Sequence, residues 1–327
     1  MTSQVIMGID IGKEKFDVAI KIKEKYEDRK FDNKESGFLE LSSWLKEKGV
    51  EKAWCCMEAT GKYGDSLANY LYSKGHKVSV VNPRAIEAFG KSQMRRNKTD
   101  KQDARLIEQY CASCKPDEWK PLKEEVKNIQ ELERHLESLT NQHTQQTNRL
   151  ECQTNTTVVK SINRIIVSIE AEIEEIKLVI KQEIEKDQEL KKNNELLLTI
   201  PGIGEKTATI ILAELGQIER FSSVKQLDAF VGLSPSQHTS GTSVRKKTQM
   251  SKLGNSRLRK ALYLPAVSAK NHNPIVKAFC LRLQEKGKVP MCIIGAAMRK
   301  LLHLAYGVLK NQLPFDPNFL LQHQLAA

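Results

Sequence analysis

The first 116 residues alternate between two periods of apolar positions. Val5 to Ile9 is an unbroken apolar run, as a strand buried on both faces carries. Phe16-Asp17-Val18-Ala19-Ile20 alternates, and Gly12-Lys13-Glu14-Lys15 before it predicts a turn. Tyr26 to Phe31 predicts a third strand. Ser36 to Lys48 places Phe38, Leu41, Trp44 and Leu45 at helical spacing and stops at Gly49. Ala53 to Met57 is β-rich and ends at Glu58. Gly64 to Ser73 sets Leu67, Tyr70 and Leu71 on one helical face. Lys77 to Val81 predicts a fifth strand, stopped by Asn82-Pro83, and a helix follows Thr99. The predicted order is βββαβαβα.

The pattern then lengthens. Pro116 to Pro121 reads as a linker. Leu122, Val126, Ile129, Leu132, Leu136, Leu139, His143 and Leu150 recur in steps of three, four and seven. After a polar break at Asn155-Thr156-Thr157, Val158, Ile162, Ile165, Ile169, Ile173, Ile176, Ile180 and Ile184 resume the period. Two helices of about 30 residues, each roughly 45 Å long, predict an antiparallel coiled-coil arm. Leu196 to Gly216 predicts two apolar helices flanking Pro201-Gly202-Ile203-Gly204. Phe221 to Gly232 predicts another short helix, and Leu233 to Ser243 a loop of small hydroxyl residues without an apolar period. Ala261 to Leu313 is helical and apolar-rich, broken at Asn271-His272-Asn273-Pro274. The pattern divides the chain into three domains: an α/β domain over 1–116, an arm over 117–195 and an all-α domain over 196–327.

Composition narrows the partners. The 327 residues hold 52 Lys+Arg against 40 Asp+Glu, a net charge of +12, which predicts attraction to polyanions without separating DNA, RNA and acidic membrane. Aromatics are only 6%, which argues against a single-strand binder built on stacking platforms. The seven cysteines are unpatterned and read as reduced thiols; Cys111 and Cys114 make one CxxC without a second pair to complete a zinc site. The start, MTSQVIMGID, lacks the features of a signal peptide, and no run of about 18 apolar residues is present. The expectation is a cytoplasmic, nucleoid-associated protein with no membrane partner.

Carboxylates supply the candidate chemistry. Asp10 ends the first strand and Glu58 the fourth, while Asp100 and Asp103 stand one helical turn apart. Three strands followed by αβ units is the order of the ribonuclease-H fold. In that fold the first and fourth strands are neighbours, so these four acids converge. Hard oxygen donors suit Mg²⁺ or Mn²⁺, and a pair of such ions serves phosphoryl chemistry. Read singly, Asp10 could cap a turn, Glu58 could be an ordinary strand exit, and Thr99-Asp100-Lys101-Gln102-Asp103 resembles a capping box. Gly8-Ile9-Asp10-Ile11-Gly12-Lys13 also resembles the phosphate loop of actin-like kinases, which need a second copy of the fold that this chain does not show.

Cations and glycines supply candidate phosphate contacts. Arg95, Arg96 and Lys98 lie in a basic stretch from Arg84 to Arg105 beside the acids. Pro201-Gly202-Ile203-Gly204 resembles a helix-hairpin-helix module, with Gly202 and Gly204 allowing backbone approach to a phosphate and Lys206 adding charge. Arg245, Lys246, Lys247, Lys252, Arg257 and Arg259 come after the hydroxyl-rich loop. A serine attacking phosphorus needs an exposed loop, cations on the non-bridging oxygens and a proton acceptor. The loop meets the first two needs, His238 is a candidate for the third, and several serines compete.

With these residues in view, the chain resembles the transposases of insertion-sequence family 110 over nearly its whole length. Asp10, Glu58, Asp100 and Asp103 match the acidic quartet of that family's RuvC-like domain. Gln237 to Gly241, followed by Ser251-Lys252-Leu253-Gly254-Asn255-Ser256-Arg257-Leu258-Arg259, resembles its C-terminal signature. The resemblance implies that Ser240 is the nucleophile, linking covalently to DNA. It also implies a composite site in which the acids act with Ser240 of another subunit, in a tetramer built as a dimer of dimers on donor and target double-stranded DNA. A bridge RNA would choose both DNAs by base pairing. A Holliday-junction-type endonuclease using the acids alone, and a non-catalytic nucleic-acid scaffold, remain as alternatives.

Overall fold

The computed structural model describes residues 4–23, 25–59, 61–94, 99–236, 239–240, 244–245 and 248–318, with backbone only at 239–240 and 244–245. The chain divides into two compact units, Met1–Pro121 and Leu122–Ala327.

The first unit is built on β1 (Val5–Ile11), β2 (Lys15–Ile22), β3 (Lys25–Asp32), α1 (Glu35–Glu47), β4 (Ala53–Glu58), α2 (Lys62–Ser73), β5 (Lys77–Val81), α3 (Pro83–Ser92) and α4 (Asp100–Cys114). The sheet order is β3-β2-β1-β4-β5, with β1–β3 antiparallel and β4 and β5 parallel to β1. This is the ribonuclease-H topology that the element order predicts. The helix α3 is an addition: Asn82 does stop β5, but its side chain also accepts from Arg84 N at 3.0 Å, and Pro83 starts a helix. The stretch from Pro116 is also not a free linker. Trp119 N donates to Val78 O at 2.7 Å and Ser79 Oγ to Asp117 O at 2.8 Å, which ties the chain along edge strand β5.

Strand alternation sorts the core into two layers. Met7, Ile9, Cys55 and Met57 face α1 and α2, packing with Leu41, Leu45, Leu67 and Leu71. Trp54 and Cys56 face the other way, packing with Ile86, Leu106, Ile107 and Cys111 of α3 and α4. Gly8 shares that second face. A Cβ there would overlap Ala104 O and Glu108 N, so only glycine lets α4 lie this close to β1.

The second unit opens with a helical hairpin, α5 (Glu124–Glu151) and α6 (Thr156–Lys186). Asn155 at the break caps α6, accepting from Thr157 N at 3.0 Å. The base of the hairpin is interlocked with the next two helices, α7 (Gln188–Leu198) and α8 (Glu205–Leu215). Val126, Ile129 and Leu136 pack there with Ile180 and Ile184, with Leu190 of α7 and with Ala213 of α8. Beyond α8 come α9 (Val224–Val231), the short strands β6 (Pro235–Ser236), β7 (Thr239–Ser240), β8 (Val244–Arg245) and β9 (Gln249–Met250), then α10 (Ser256–Ala261), α11 (Tyr263–His272), α12 (Pro274–Glu285) and α13 (Pro290–Asn311). By length and composition α13 could cross a membrane. Here its Leu301, Leu302, Ala305 and Leu309 form the centre of a core with Leu197, Ile211, Ala266 and Val276.

Gly8→Ala is expected to lift α4 from the sheet and to cost about 1–3 kcal/mol, the range for overpacking a tight contact. A urea titration of the purified protein followed by circular dichroism measures it; an unchanged midpoint would show that the contact yields freely.

Candidate active site

Three contacts register α4 against β3. Tyr26 donates to Glu108 Oε2 at 2.8 Å, Arg105 Nε donates to Asp28 Oδ1 at 2.7 Å, and Lys30 Nζ meets Asp100 Oδ2 at 3.3 Å. Over the three contacts the strand advances four residues, about 13 Å, and the helix eight residues, about 12 Å, so helix and strand stay in step. Arg105 also stacks over the Tyr26 ring at 4.7 Å, and Lys101 adds a second cation on Asp28 at 3.1 Å. Burial would raise the Asp28 carboxyl, but the hydrogen bonds from Arg105 and Lys101 outweigh it and hold it below its ordinary value.

The ladder brings the start of α4 to the end of β1. Asp10 pairs across the sheet with Asp17, and Asp17 with Lys30. Lys30 Nζ lies 3.0 Å from Asp17 Oδ2 and so bridges the sheet to Asp100. The Asp17 bond, ahead of Asp100, pushes its ammonium up in pKa. On the other side of β1, Asp10 and Glu58 lie one step beyond the Ile9–Met57 rung of the parallel β1–β4 pair. Thr99 Oγ1 caps α4, accepting from Gln102 N at 3.3 Å, which fixes where Asp100 and Asp103 begin. Asp10, Glu58, Asp100 and Asp103 therefore share one end of the sheet. Among the described residues no three His, Cys, Asp or Glu side chains are drawn into an ion-holding group. The donor set is nevertheless all carboxylate, the kind a hard divalent cation takes.

Other basic candidates near this edge are distributed differently. Lys91 pairs with Glu87 at 2.6 Å, and Lys101 and Arg105 are committed to Asp28. Arg95, Arg96 and Lys98 lie outside the described residues. Cys111 is buried and Cys114 exposed; a hydrogen bond with Cys111, together with burial, pushes the Cys56 thiol well up, as suits a core group.

In the second unit the hydroxyl-rich loop is a narrow β-ribbon. Pro235 and Ser236 pair with Met250 and Gln249, and beyond them Thr239 and Ser240 pair with Arg245 and Val244. Ser240 thus stands near the tip of a hairpin whose strands are too short to show an apolar period. The side chains of Ser240 and Arg245 lie outside the described set, as do Gln237, His238, Gly241, Lys246 and Lys247. The ribbon's foot is pinned by backbone bonds from Ser251 N to Ser234 O, Lys252 N to Gly232 O and Asn255 N to Phe230 O. Arg259 Nη1 donates to Val231 O at 2.8 Å, closing the last turn of α9. Lys252 and Arg257 are exposed, and Arg257 pairs with Glu137 at 3.6 Å.

The two glycines after α7 do different work. Gly202, at φ +104°, lies against Ala269, where a Cβ would come to 2.7 Å, and Asn273 Nδ2 holds Pro201 O at 3.1 Å. Gly204 is open on its outer side and caps α8, with Lys206 exposed in the first turn. A buried carboxylate that the sequence pattern hides is Asp228, fully enclosed between Arg299 Nε at 2.7 Å and His303 Nε2 at 2.8 Å. It latches α9 to α13, and pairing is what makes burial of the charge tolerable.

Acids at the ends of the two central strands, met by a helix laid across them, is the arrangement of ribonuclease-H-type enzymes acting on nucleic acid. Residues 7–157 match the DEDD-type IS110 transposase model, and residues 194–281 match the transposase IS116/IS110/IS902 family. The chain belongs to the IS110 family of transposases. It is 36% identical over 318 residues to the pilin gene-inverting proteins of Moraxella bovis and Moraxella lacunata, covering 96% of this chain and 98% of theirs. A shorter match, 44% over 64 residues, covers 20% of this chain and 17% of the transposase for insertion sequence element IS1111A of Coxiella burnetii. T. thermophilus RuvC, solved in complex with a Holliday junction substrate, aligns with 36% of this chain and 99% of its own at 11% identity and a TM-score of 0.26, too slight a likeness to carry an argument.

Asp28→Asn is expected to loosen α4 and lower stability at neutral pH. A depressed carboxyl stabilises the fold above its ordinary value of 3.8 and loses that contribution as pH falls through the lowered folded value. Urea midpoints of wild type and variant should therefore differ at about pH 7 and converge as pH falls below the lowered folded value; a gap independent of pH would assign the loss to shape rather than charge.

Proposed function

We propose that the chain is a recombinase that cuts and rejoins DNA through Ser240, assisted by the acidic edge of the first unit and guided by a bridge RNA. The observation that carries this reading is the pairing of two features. Asp10, Glu58, Asp100 and Asp103 occur in D-E-D-D order inside the segment matching the DEDD-type family. Ser240 stands on a hairpin braced from below by the Ser251–Arg259 turn.

In the proposed step the Ser240 Oγ attacks a backbone phosphorus and gives up its proton. The Oγ–P bond forms as the bond to one strand oxygen breaks, and that oxygen leaves with a proton as a hydroxyl. The serine diester keeps the energy of the broken linkage, so a hydroxyl of a second strand can reverse the exchange without an external energy source. Arg245, Lys246, Lys247, Lys252 and Arg257 would steady the phosphate oxygens, and Gly204 with Lys206 would hold a neighbouring backbone. Asp10, Glu58, Asp103 and, once released from Lys30, Asp100 would hold Mg²⁺ or Mn²⁺, which supplies charge neutralisation at phosphorus. Full-length similarity to gene-inverting proteins supports rejoining rather than cutting alone, because inversion requires both. The partners are donor and target DNA, a bridge RNA and further copies of the chain in a tetramer, with the hairpin α5–α6 acting as a coiled-coil arm.

The decisive assay mixes protein, co-purifying RNA, matched DNAs and Mg²⁺, and looks for a covalent protein–DNA adduct on a denaturing gel. Ser240→Ala should abolish the adduct and strand exchange. Asp10→Ala should leave the thermal midpoint within about 1 °C and reduce exchange by about a hundredfold or more, the scale for losing a group that stabilises developing charge. Cleavage without an adduct, unchanged in Ser240→Ala, would overturn the serine reading in favour of a hydrolytic nuclease.

A further inference from the structure

A cavity of about 880 Å³ lies within the second unit, between α5, α8 and the α10–α11 corner. Its size is that of a small-molecule site, in the range of about 300–1,000 Å³. Leu136 and Ile210 supply apolar wall, and Tyr263 offers an aromatic face that is 38% exposed. Three acids line it, and two are engaged: Glu137 with Lys260 at 3.2 Å and Arg257 at 3.6 Å, Glu214 with Asn255 at 2.6 Å. The third, Glu133, is half-buried and forms no hydrogen bond or ion pair among the described residues. Burial, partly offset by Lys206 and reinforced by Glu137 and Glu214, pushes its carboxyl up to about 7. Lys206 and Lys252, both exposed, also line the cavity and form no ion pair among the described residues.

We propose that this cavity receives one unpaired nucleotide of a bound nucleic acid, with guanine as its base. The proposal rests on the nucleic-acid reading above. Charge order supports a nucleotide: the exposed lysines suit a phosphate, and the half-buried carboxylate suits hydrogen-bond donors on a base. A cationic peptide would suit the carboxylate and be repelled by the lysines. The apolar wall and Tyr263 suit the flat faces of a base. Guanine presents two adjacent donors, N1–H and the 2-amino group, which match the two oxygens of Glu133. Uracil and thymine present one donor between two carbonyls, which the carboxylate repels. Bases with a single amino donor fall between.

The test, run at about pH 8.5 where Glu133 is ionised, uses the full-length protein and short, otherwise uridine or thymidine strands carrying one central guanine, made as RNA and as DNA. Each has a twin in which hypoxanthine, lacking the 2-amino group, replaces guanine. Fluorescence anisotropy should show about tenfold tighter binding of the guanine strand, the scale of one good base contact. The arm with the larger ratio identifies the strand type. Glu133→Met, which replaces a partnerless carboxylate by an apolar side chain of similar length and so favours folding, should bring the ratio to one. Equal affinities in wild type, or a ratio kept in Glu133→Met, would overturn the proposal while leaving the nucleic-acid reading intact. Failure of every strand to bind at low salt would instead remove the nucleic-acid reading of this unit, and the proposal with it.

Discussion

The first unit depends on how closely one helix can approach one strand. Gly8 lacks the Cβ that would hold α4 away from β1, and the approach is then fixed by Tyr26–Glu108, Asp28–Arg105 and Lys30–Asp100 between α4 and β3. Lys30–Asp100 on its own would be a weak surface interaction, whereas Tyr26–Glu108 and Asp28–Arg105 are partly buried. Repeated in register above a tight backbone contact, they leave α4 one position along the sheet. That position is what sets Asp100 and Asp103 at the same end of the sheet as Asp10 and Glu58.

The second unit solves a different problem, which is to carry an exposed hairpin on a firm base. Among the described residues the ribbon bearing Ser240 has two rungs on each of its levels, far too little to be stable alone. Its foot is held by three backbone bonds to Phe230, Gly232 and Ser234 at and just beyond the end of α9, by Arg259 on Val231 O, and indirectly by Asp228, which ties α9 to α13. Rigidity thus runs from the core helix outward to the foot.

Much of this was legible along the chain. The five strands, their order along the chain and the end of β4 at Glu58 follow from alternation and from apolar runs that stop at acids, while β1 runs one residue past Asp10 to Ile11. The acids of α4 follow from the cap at Thr99. What was not legible arose where one residue type has two uses. Asn82-Pro83 stops a strand and also starts a helix. Gly202 reads as a phosphate-approach glycine, yet its freedom is taken up by Ala269. The ribbon from Pro235 to Met250 is too short to carry a period. Asp228 is far in sequence from its partners Arg299 and His303, and Glu133 sits among ordinary helix-surface glutamates, so only three-dimensional packing distinguishes them.

The Lys30 ammonium lies between Asp17 and Asp100, so the acidic rim of the first unit brings part of its own countercharge. A carboxylate cluster without such a tenant would depend on the surrounding electrolyte to assemble at all. Here a tethered ammonium offsets part of the like-charge repulsion at the rim as the chain folds. A cation drawn to Asp100 would meet a tethered rival already there, so the same lysine that eases folding would also set a threshold for any such guest.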